Sequence, residues 1–341
     1  MKSAMRILIC LAVVASLFFG QKDAYSQVKK DEPVGLFPIE RNDRWGFIDS
    51  AGKIVIKPQF RGAENFREGL ARVSDGKKYG YIDRTGKYVF KLPCDLDLCR
   101  SAHSFSEGLA VVEIGNRWGY VDKTGKYAIN PQFDGARLFS EGLASVTIGE
   151  IRHSRCGYID RTGKYMINPQ FDSCLNFSEG LAGVWRDQKF GYIDKSGEYV
   201  IHPQFDEGSS FSEGLATVMI RKKYGYIDRK GNFVIKPQFD WADDFSEGLA
   251  AARTGTRCGY VDKTGEYVIE PQFDRARRFS EGLAAVEIGS RWGYVDKKGT
   301  YMINPQFVEV HSFSEGLASI ISDKGPGYVD KTGKYIWSPR K

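Results

Sequence analysis

The sequence has 341 residues, of which 42% are hydrophobic and 27% are charged, and its formal net charge is +6. These values are typical of a globular protein and exclude a chain that is disordered throughout. Thirty-eight glycines beside only four histidines favour many short strands and tight turns over a helical bundle. The basic residues form no stripe of the kind that binds nucleic acid, so no nucleic-acid partner is expected.

Residues 1–26 have the features of a signal peptide. Lys2 and Arg6 precede an uncharged apolar run over residues 7–19, and Ala24 and Ser26 place small side chains before a cleavage point at Gln27. The run is shorter than the roughly 20 residues that a transmembrane helix needs, and no later stretch is uncharged for as long. We therefore expect export to the periplasm or the exterior, with no transmembrane segment in the mature chain. An uncleaved membrane anchor is the alternative.

After a short linker at residues 27–33, one unit recurs nine times over residues 34–341. A typical copy reads WGYVDKTGKYAINPQFD at residues 118–134, and a second phrase such as FSEGLAVV (105–112) lies between copies. Most copies are 34 residues apart, with longer insertions at residues 91–100 and 148–156. A fixed period of this length identifies a repeat architecture, in which insertions map to surface loops. The two insertions are either tolerated additions or local recognition loops.

Each unit predicts a small antiparallel sheet. Residues 109–113, 118–121 and 127–129 favour three strands, and the turn at residues 122–125 has Asp first and Gly fourth, as a tight hairpin turn requires. Pro131 ends the last strand because it has no N–H group to donate. The unit is thus predicted as a three-stranded meander, followed by a connector at residues 133–142 that has room for a single helical turn.

The predicted fold is all-β, with tandem meanders stacked into an open β-solenoid or superhelix. One meander has too small a face to be stable alone, so neighbouring units must share a core. A closed, propeller-like ring is the alternative. It is the less favoured one, because propeller blades usually have four strands and number four to eight, whereas this chain shows three strands in each of nine units.

The W-G-[FY]-[IV]-D core, the K-T-G turn and the P-Q-F tail resemble the WG-containing repeat, or KWG repeat, of bacterial proteins. The resemblance extends over residues 34–339. It implies a bacterial protein of a family that is often exported and has no assigned catalytic residues. The hairpin is more weakly similar to aromatic cell-wall-binding repeats that recognise choline or glucan.

The aromatic residue after the first glycine of each unit forms a candidate binding ladder. Its best-matching members are Tyr120, Tyr158, Tyr192, Tyr226, Tyr260 and Tyr294. Such rings either form cross-strand pairs in the core or stay exposed as an amphipathic platform for glycans or protein segments. The alternation of the strand does not decide between the two, because both faces of a tightly coiled sheet can be buried.

Five cysteines follow the signal peptide. Cys94 and Cys99 share the first insertion and are a candidate disulfide. Cys156 and Cys258 occupy the same position three units apart, farther than the roughly 7 Å between Cα atoms that a disulfide allows. Cys174 lies where other units have alanine. We expect these three to be free, buried thiols.

No catalytic, metal-binding or cofactor-binding constellation is visible in the sequence. The aspartate that recurs in every turn, such as Asp122, is interpreted as a turn residue, since calcium needs six to eight oxygen ligands and each turn offers one carboxylate. The sequence therefore predicts a non-enzymatic binding or scaffolding module at the cell envelope or outside the cell, with a protein or a cell-envelope polysaccharide as its partner. The alternatives are a glycan or cell-wall binder that uses the tyrosine ladder, and a propeller-type enzyme with a polar pocket on the ring axis.

Overall fold

The computed structural model describes residues 35–99, 101–149 and 154–338, so the predicted signal peptide, the linker and part of the second insertion lie outside the described residues. The described residues form nine antiparallel sheets and no helix, and those from Leu36 onward make up one compact unit. No helix that could cross a bilayer occurs in this part of the chain.

Strands follow one another in chain order within every sheet. The strands of the first five sheets are β1 (Phe37–Arg41), β2 (Arg44–Ile48) and β3 (Ile54–Phe60); β4 (Gly62–Ala63), β5 (Ala71–Ser74), β6 (Tyr79–Ile82) and β7 (Tyr88–Lys91); β8 (Ser101–Ala102), β9 (Leu109–Ile114), β10 (Arg117–Asp122) and β11 (Tyr127–Phe133); β12 (Gly135–Ala136), β13 (Ala144–Ile148), β14 (Arg155–Ile159) and β15 (Tyr165–Phe171); β16 (Ser173–Cys174), β17 (Ala182–Arg186), β18 (Lys189–Ile193) and β19 (Tyr199–Phe205).

The remaining four sheets repeat the same plan. Their strands are β20 (Glu207–Gly208), β21 (Ala216–Ile220), β22 (Lys223–Ile227) and β23 (Phe233–Phe239); β24 (Trp241–Ala242), β25 (Ala250–Thr254), β26 (Arg257–Val261) and β27 (Tyr267–Phe273); β28 (Arg275–Ser280), β29 (Leu283–Ile288), β30 (Arg291–Val295) and β31 (Tyr301–Phe307); β32 (Glu309–Val310), β33 (Leu317–Ser322), β34 (Gly325–Asp330) and β35 (Tyr335–Trp337).

Sheets two to nine each begin with a strand that the sequence did not predict, which is two residues long in all of them but the eighth. We call the four strands a, b, c and d in chain order; the described part of the first sheet has only b, c and d. The segment after residue 133, predicted as a connector with a helical turn, forms strand a and a tight turn into strand b. There Ser140 and Leu143 exchange backbone hydrogen bonds of 2.9 and 3.2 Å, and Glu141 and Gly142 both have positive φ, 54° and 87°, as a type I′ turn requires.

The first and the ninth sheets are neighbours, so the array is a closed ring. At the other junctions the glycine of a c–d turn lies against a hydrophobic residue of the preceding sheet, as Gly163 lies against Ile129. The same contact joins Gly52 of the first sheet to Ile336 of the ninth. One hydrophobic cluster also spans this junction, and its buried members are Phe37, Ile39, Ile48, Leu317 and Trp337.

The structure is therefore a nine-bladed β-propeller, and the predicted open solenoid is wrong. The all-β repeat architecture is confirmed, and the ring that was the alternative is the arrangement found. A short strand at one edge and a seven-residue strand at the other give most blades a wedge shape, and wedges packed side by side close into a ring with their narrow edges inward. Strand a thus lies at the inner edge. Within the described residues, the first and last blades are each built from one continuous stretch, and no sheet combines strands from the two ends of the ring.

The glycine of the W-G pair is required because two strands cross closely there. A Cβ atom on Gly157 would lie 2.3 Å from the carbonyl oxygen of Ile167 and 2.6 Å from the nitrogen of Pro169. Strand d bulges at this point, since the pairs Cys156–Phe171 and Tyr158–Ile167 enclose more residues on strand d than on strand c. Comparable approaches occur at Gly46, Gly119, Gly191, Gly225, Gly259 and Gly293.

We expect the change Gly191→Ala to lower the free energy of unfolding by about 3 kcal/mol, because its Cβ would be forced against backbone atoms that cannot move independently. The matched control is Gly248→Ala, where the space is open and φ is 88°, so that only backbone strain of about 1–2 kcal/mol is expected. Urea unfolding of both variants measures the difference. Equal losses would contradict the crossing-strand explanation.

The cysteines form two disulfides in the described residues. Cys94 is bonded to Cys99, and Cys156 is bonded to Cys174 with a Cα–Cα distance of 6.1 Å. The expectation of free thiols is wrong for Cys156 and Cys174. The position of Cys156 on strand c faces the small-residue position of strand a in the next blade, so its partner lies across one junction rather than three units away. Cys258 is buried and free.

For the protein without residues 1–26, mass spectrometry after alkylation in denaturant is expected to show one labelled cysteine before reduction and five after it. The single label should map to Cys258, because the other four cysteines are paired. Three labels before reduction, at Cys156, Cys174 and Cys258, would show that the fourth and fifth blades are not covalently joined.

Candidate functional site

The six tyrosines of the candidate ladder lie inside the junctions between blades. Each is at most 1% exposed, and its ring centroid lies 4.8–4.9 Å from that of the phenylalanine that follows strand a in the next blade. Each hydroxyl donates a hydrogen bond of 2.7–2.8 Å to a backbone carbonyl of that segment. Burial raises the pKa of every one of these phenols, which keeps them neutral donors.

The candidate ladder is thereby corrected. Tyr120, Tyr158, Tyr192, Tyr226, Tyr260 and Tyr294 hold neighbouring blades together and present no ring face to a ligand. Alternation along strand c places this tyrosine on the face of its blade that packs against the next blade. In a closed ring every such face is buried by a neighbouring blade. Sequence alternation alone could not show this, because it does not reveal what packs on a face.

The recurring aspartates close the c–d turns. In the third blade, Asp122 Oδ1 accepts hydrogen bonds from the Thr124 backbone N–H at 2.8 Å, from the Thr124 hydroxyl at 2.6 Å and from the Lys126 backbone N–H at 3.1 Å. The Thr124 hydroxyl is the main cause that lowers the pKa of this carboxyl. Within residues 35–99, 101–149 and 154–338, no three His, Cys, Asp or Glu side chains converge as a metal ion would need.

We expect Asp194→Ala to cost about 1 kcal/mol at pH 7, since the bonds from Ser196 and Glu198 are lost. The Ser196 hydroxyl lowers the pKa of Asp194. The contribution of this carboxylate is therefore present above its unfolded pKa of about 3.9 and is lost as pH falls through the lower folded pKa. Urea unfolding at pH 7 and below pH 4 tests this, with the exposed Glu198→Ala of the same turn as control. A loss that is the same at both pH values would contradict it.

The a–b turns of neighbouring blades are joined into what we call the turn belt, formed by the Glu-Gly pairs from Glu68-Gly69 to Glu315-Gly316. The carboxylate of Glu141 accepts the backbone N–H of Gly180 in the next blade at 3.0 Å. Lys195 bonds the carbonyl oxygen of Glu141 at 2.9 Å and its carboxylate at 3.2 Å. The carboxylate-to-glycine bond recurs at every step from Glu68 to Glu281.

The turn belt is interrupted at the first blade. Glu315, at its end, is exposed, and no described residue forms a hydrogen bond or ion pair with its carboxylate. The hydroxyl of Ser314 is equally free of partners in the described chain, whereas the equivalent Ser280 hydroxyl donates to the carbonyl of Phe313 at 2.7 Å.

A cleft of about 770 Å³ opens at this interruption. Most of its lining comes from β1, from strands b and c and the a–b turn of the ninth blade, and from the a–b turn and Arg84 of the second blade. Phe66 and Tyr328 in its walls are only half-buried, whereas their equivalents Phe139 and Tyr120 are fully buried. The cleft thus lies beside β1, between the a–b turns of the ninth and second blades.

Phe37 fills part of the junction between the ninth and first blades. In the other eight blades the residue after the leucine of strand b is a fully buried alanine, as Ala144 is in the fourth blade. Phe37 stands at this position in the first blade, and its ring centroid lies 5.5 Å from that of Tyr328. The Tyr328 hydroxyl donates to the carbonyl of Pro38 at 2.9 Å. Phe37 therefore takes over the role that the phenylalanine after strand a has at the other junctions.

Sequence reasoning did not identify this cleft, although a signal for it was present. Gly35-Leu36 matches the end of the phrase F-S-E-G-L, but Glu32 stands at the position of the phenylalanine and Pro33 at that of the serine. The absence of the phrase before the first unit marks the interruption. Without knowing that the phrase forms part of a sheet, however, the sequence gives no reason to expect a cavity there.

The first insertion does not project as a recognition loop in its described part. Leu92 and Cys99 are buried in the cluster between the second and third blades. Backbone hydrogen bonds of 2.8 and 2.9 Å join Leu96 to Lys77 and Gly115 to Leu98. These residues of the insertion therefore pack against the junction between the second and third blades.

The WG-containing repeat family matches residues 45–79, 79–118, 118–150, 157–189, 190–224, 224–255, 259–292 and 292–323. The chain belongs to the WG-containing repeat family. No curated protein matches the sequence. The family boundaries run from one strand c to the next, so this WG-repeat protein has each family unit divided between two blades.

The fold of this WG-repeat protein is similar to several solved structures. The crystal structure of a eukaryotic initiation factor has a TM-score of 0.65 and 10% identity, covering 89% of this chain and 96% of that one. Dihydro-heme d1 dehydrogenase NirN in complex with DHE has a TM-score of 0.49 and 12% identity, covering 88% and 76%. Hsv2 of Kluyveromyces lactis has a TM-score of 0.41 and 10% identity, covering 77% and 94%. The similarity to the initiation factor is a similarity of fold alone.

Proposed function

We propose that this protein is a non-enzymatic binding module whose cleft in the first blade recruits a protein partner. The observation that carries the proposal is the cleft beside β1, with half-buried Phe66 and Tyr328 in its walls and Glu315 and Ser314 at its edge, neither of which has a side-chain partner in the described chain. Apolar walls combined with a few free polar groups are the usual composition of a recognition site.

A binding role fits the cleft better than catalysis does. A nucleophile–base contact in its lining joins Ser319 Oγ and His311 Nδ1 at 3.1 Å. Within the described chain, no carboxylate bonds the other ring nitrogen of His311, so nothing orients the imidazole as a general base would require. Non-enzymatic function therefore remains our proposal.

A protein partner is favoured over a polysaccharide. The glycan hypothesis rested on a row of accessible tyrosines, and those rings are buried in the junctions. We retain export to the periplasm or exterior as part of the proposal. The leader-like sequence of residues 1–26 and two disulfides support it, since disulfides persist in oxidising compartments.

Site-specific photocrosslinking tests the binding role. A photoreactive residue is introduced at Ser312, which is exposed in the cleft lining, and the matched control is Ser210, the equivalent position in the complete sixth blade. In cells that express the full chain, we expect the Ser312 probe to give a discrete cross-link to another protein, and the Ser210 probe to give none.

Glu315→Gln in the Ser312 probe background is expected to reduce the yield of that cross-link, since it removes the free carboxylate beside the probe. Cross-links of equal pattern and yield from both probe positions would overturn the proposal, as would no cross-link from Ser312. The mass of the adduct also separates a protein partner from a glycan.

A further inference from the structure

Aromatic side chains fill most junctions on the side of the ring that carries the b–c turns. They belong to the residue that precedes the recurring glycine of strand c, and they pack with strand a of the next blade, as Tyr224 does with Ala242. These residues are Trp45, Tyr79, Trp118, Phe190, Tyr224 and Trp292. The turn belt joins the blades on the opposite side, so the two sides of a junction are held by different contacts.

The junction between the fourth and fifth blades has no ring at this place. Cys156 stands at the aromatic position and Cys174 at the strand-a position, and both belong to the buried cluster of this junction. A cysteine side chain is much smaller than that of tryptophan or tyrosine, so the contacts that a ring makes across the junction are absent. The disulfide joins the two positions covalently instead.

The polar side chains nearby do not take over the role of the ring. Asn176 follows Cys174 by two residues, and its Oδ1 atom is buried without a hydrogen-bond partner. A buried acceptor that is left unpaired costs stability rather than adding to it. The disulfide is therefore the feature that strengthens this side of the junction.

The junction between the seventh and eighth blades also lacks the ring, and it is reinforced in another way. Cys258 stands at the aromatic position, but Ala276 lies opposite it, so no disulfide can form. Arg278 of the eighth blade donates from Nε to Asp243 of the seventh at 2.8 Å and forms an ion pair of 2.8 Å with Asp244.

The fourth and fifth blades have no counterpart of this ion pair. Asn176 stands at the position of Arg278, and Arg137 stands at that of Asp243. An amide and a guanidinium cannot form the charge-assisted bonds that hold the seventh and eighth blades together. In the described chain, the two junctions that have cysteine at the aromatic position thus differ in what holds them, a covalent bond in one and ionic contacts in the other.

We propose that the junction between the fourth and fifth blades is a redox-sensitive closure of the ring. When Cys156 and Cys174 are oxidised, the junction is closed on the side of the b–c turns. When both are reduced, this side opens while the turn belt still joins the two blades. The ring is therefore complete only in an oxidising compartment, where disulfides persist. This proposal does not depend on the cleft of the first blade.

The closing step is thiol–disulfide exchange with a small disulfide such as oxidised glutathione. The two cysteine thiols lose two hydrogen atoms and form one S–S bond, and the oxidant is reduced to two thiols. Cys156 and Cys174 are only 3% and 2% exposed. A reductant therefore reaches the bond only through an opening of the junction, and the bond persists once the ring has closed.

Native-state thiol labelling tests the proposal, with Cys258 as an internal control. Cys258 has the same position in its repeat as Cys156 and is 4% exposed, which is close to the 3% of Cys156. The protein without residues 1–26 is reduced, freed of reductant under nitrogen and treated with iodoacetamide in native buffer. We expect Cys156 and Cys174 to be labelled at least about tenfold faster than Cys258, because charge-assisted bonds hold only the Cys258 junction.

Arg278→Met provides the matched variant. It removes the ion pairs with Asp243 and Asp244, so it should raise the labelling rate of Cys258 towards that of Cys156. The labelling rates of Cys156 and Cys174 should stay unchanged, since their junction lies on the other side of the sixth blade.

A second experiment replaces the cysteine pair by the residues that other junctions use. Cys156→Tyr with Cys174→Ala copies Tyr224 and Ala242. Both this variant and its reference carry Cys94→Ala and Cys99→Ala, so that a reductant acts on one disulfide at most. We expect reductant to lower the melting temperature of the reference by at least about 4 °C and to leave that of the Tyr–Ala variant unchanged.

Equal labelling rates for Cys156, Cys174 and Cys258 in the reduced protein would overturn the proposal. So would a melting temperature of the reference that reductant does not change, or a Tyr–Ala variant that reductant destabilises as much as the reference. If circular dichroism shows that the reduced protein does not fold, the second experiment decides. The Tyr–Ala variant must then fold in reductant, and its failure to do so would refute the proposal.

Discussion

The structure depends on the interlock between neighbouring blades, in which a buried aromatic ring of one blade, in most cases a tyrosine, packs on a phenylalanine of the next. No blade has a complete core of its own. The cluster that contains Tyr120, Ile129 and Phe133 of the third blade, for example, is completed by Phe139 and Val146 of the fourth. Since each face must be covered by the following unit, the last face of the array is covered by the first blade, and the chain closes on itself.

The sequence was informative wherever a strand or turn is specified locally. The nine copies, the three longer strands and the turn centred on residues such as Asp122 follow from alternation and turn chemistry. Strand a could not be recognised, because in most blades it spans only two residues, as in Gly135–Ala136, and the phenylalanine and Glu-Gly turn that follow it resemble a connector. Without that strand neither the wedge shape nor the pairing of Cys156 with Cys174 could be deduced, since both depend on contacts across a junction.

The candidate site lies at the one junction whose described residues differ from the pattern of the other eight. Eight junctions repeat one pattern of a strand-b alanine, a strand-c aromatic ring and a phenylalanine after strand a, so their recurring residues do not distinguish one junction from the next. The ninth junction differs because strand b carries Phe37 where the others have alanine, and because Glu315 and Ser314 have no side-chain partners in the described residues. The recognition surface that we propose thus lies at the junction where the described residues depart from the repeat pattern.

Closure without a shared blade has a consequence for how such a ring can change. In a ring whose ends are interwoven within one sheet, adding or losing a copy disturbs the strands that seal it. Here the first and last blades are joined by a face-to-face contact of Phe37 and Ile48 with Trp337. This contact does not depend on the number of blades between them. Duplication or deletion of one repeat-length stretch of the gene would alter the diameter of the ring and the tilt of each wedge, while leaving both of its joining surfaces intact.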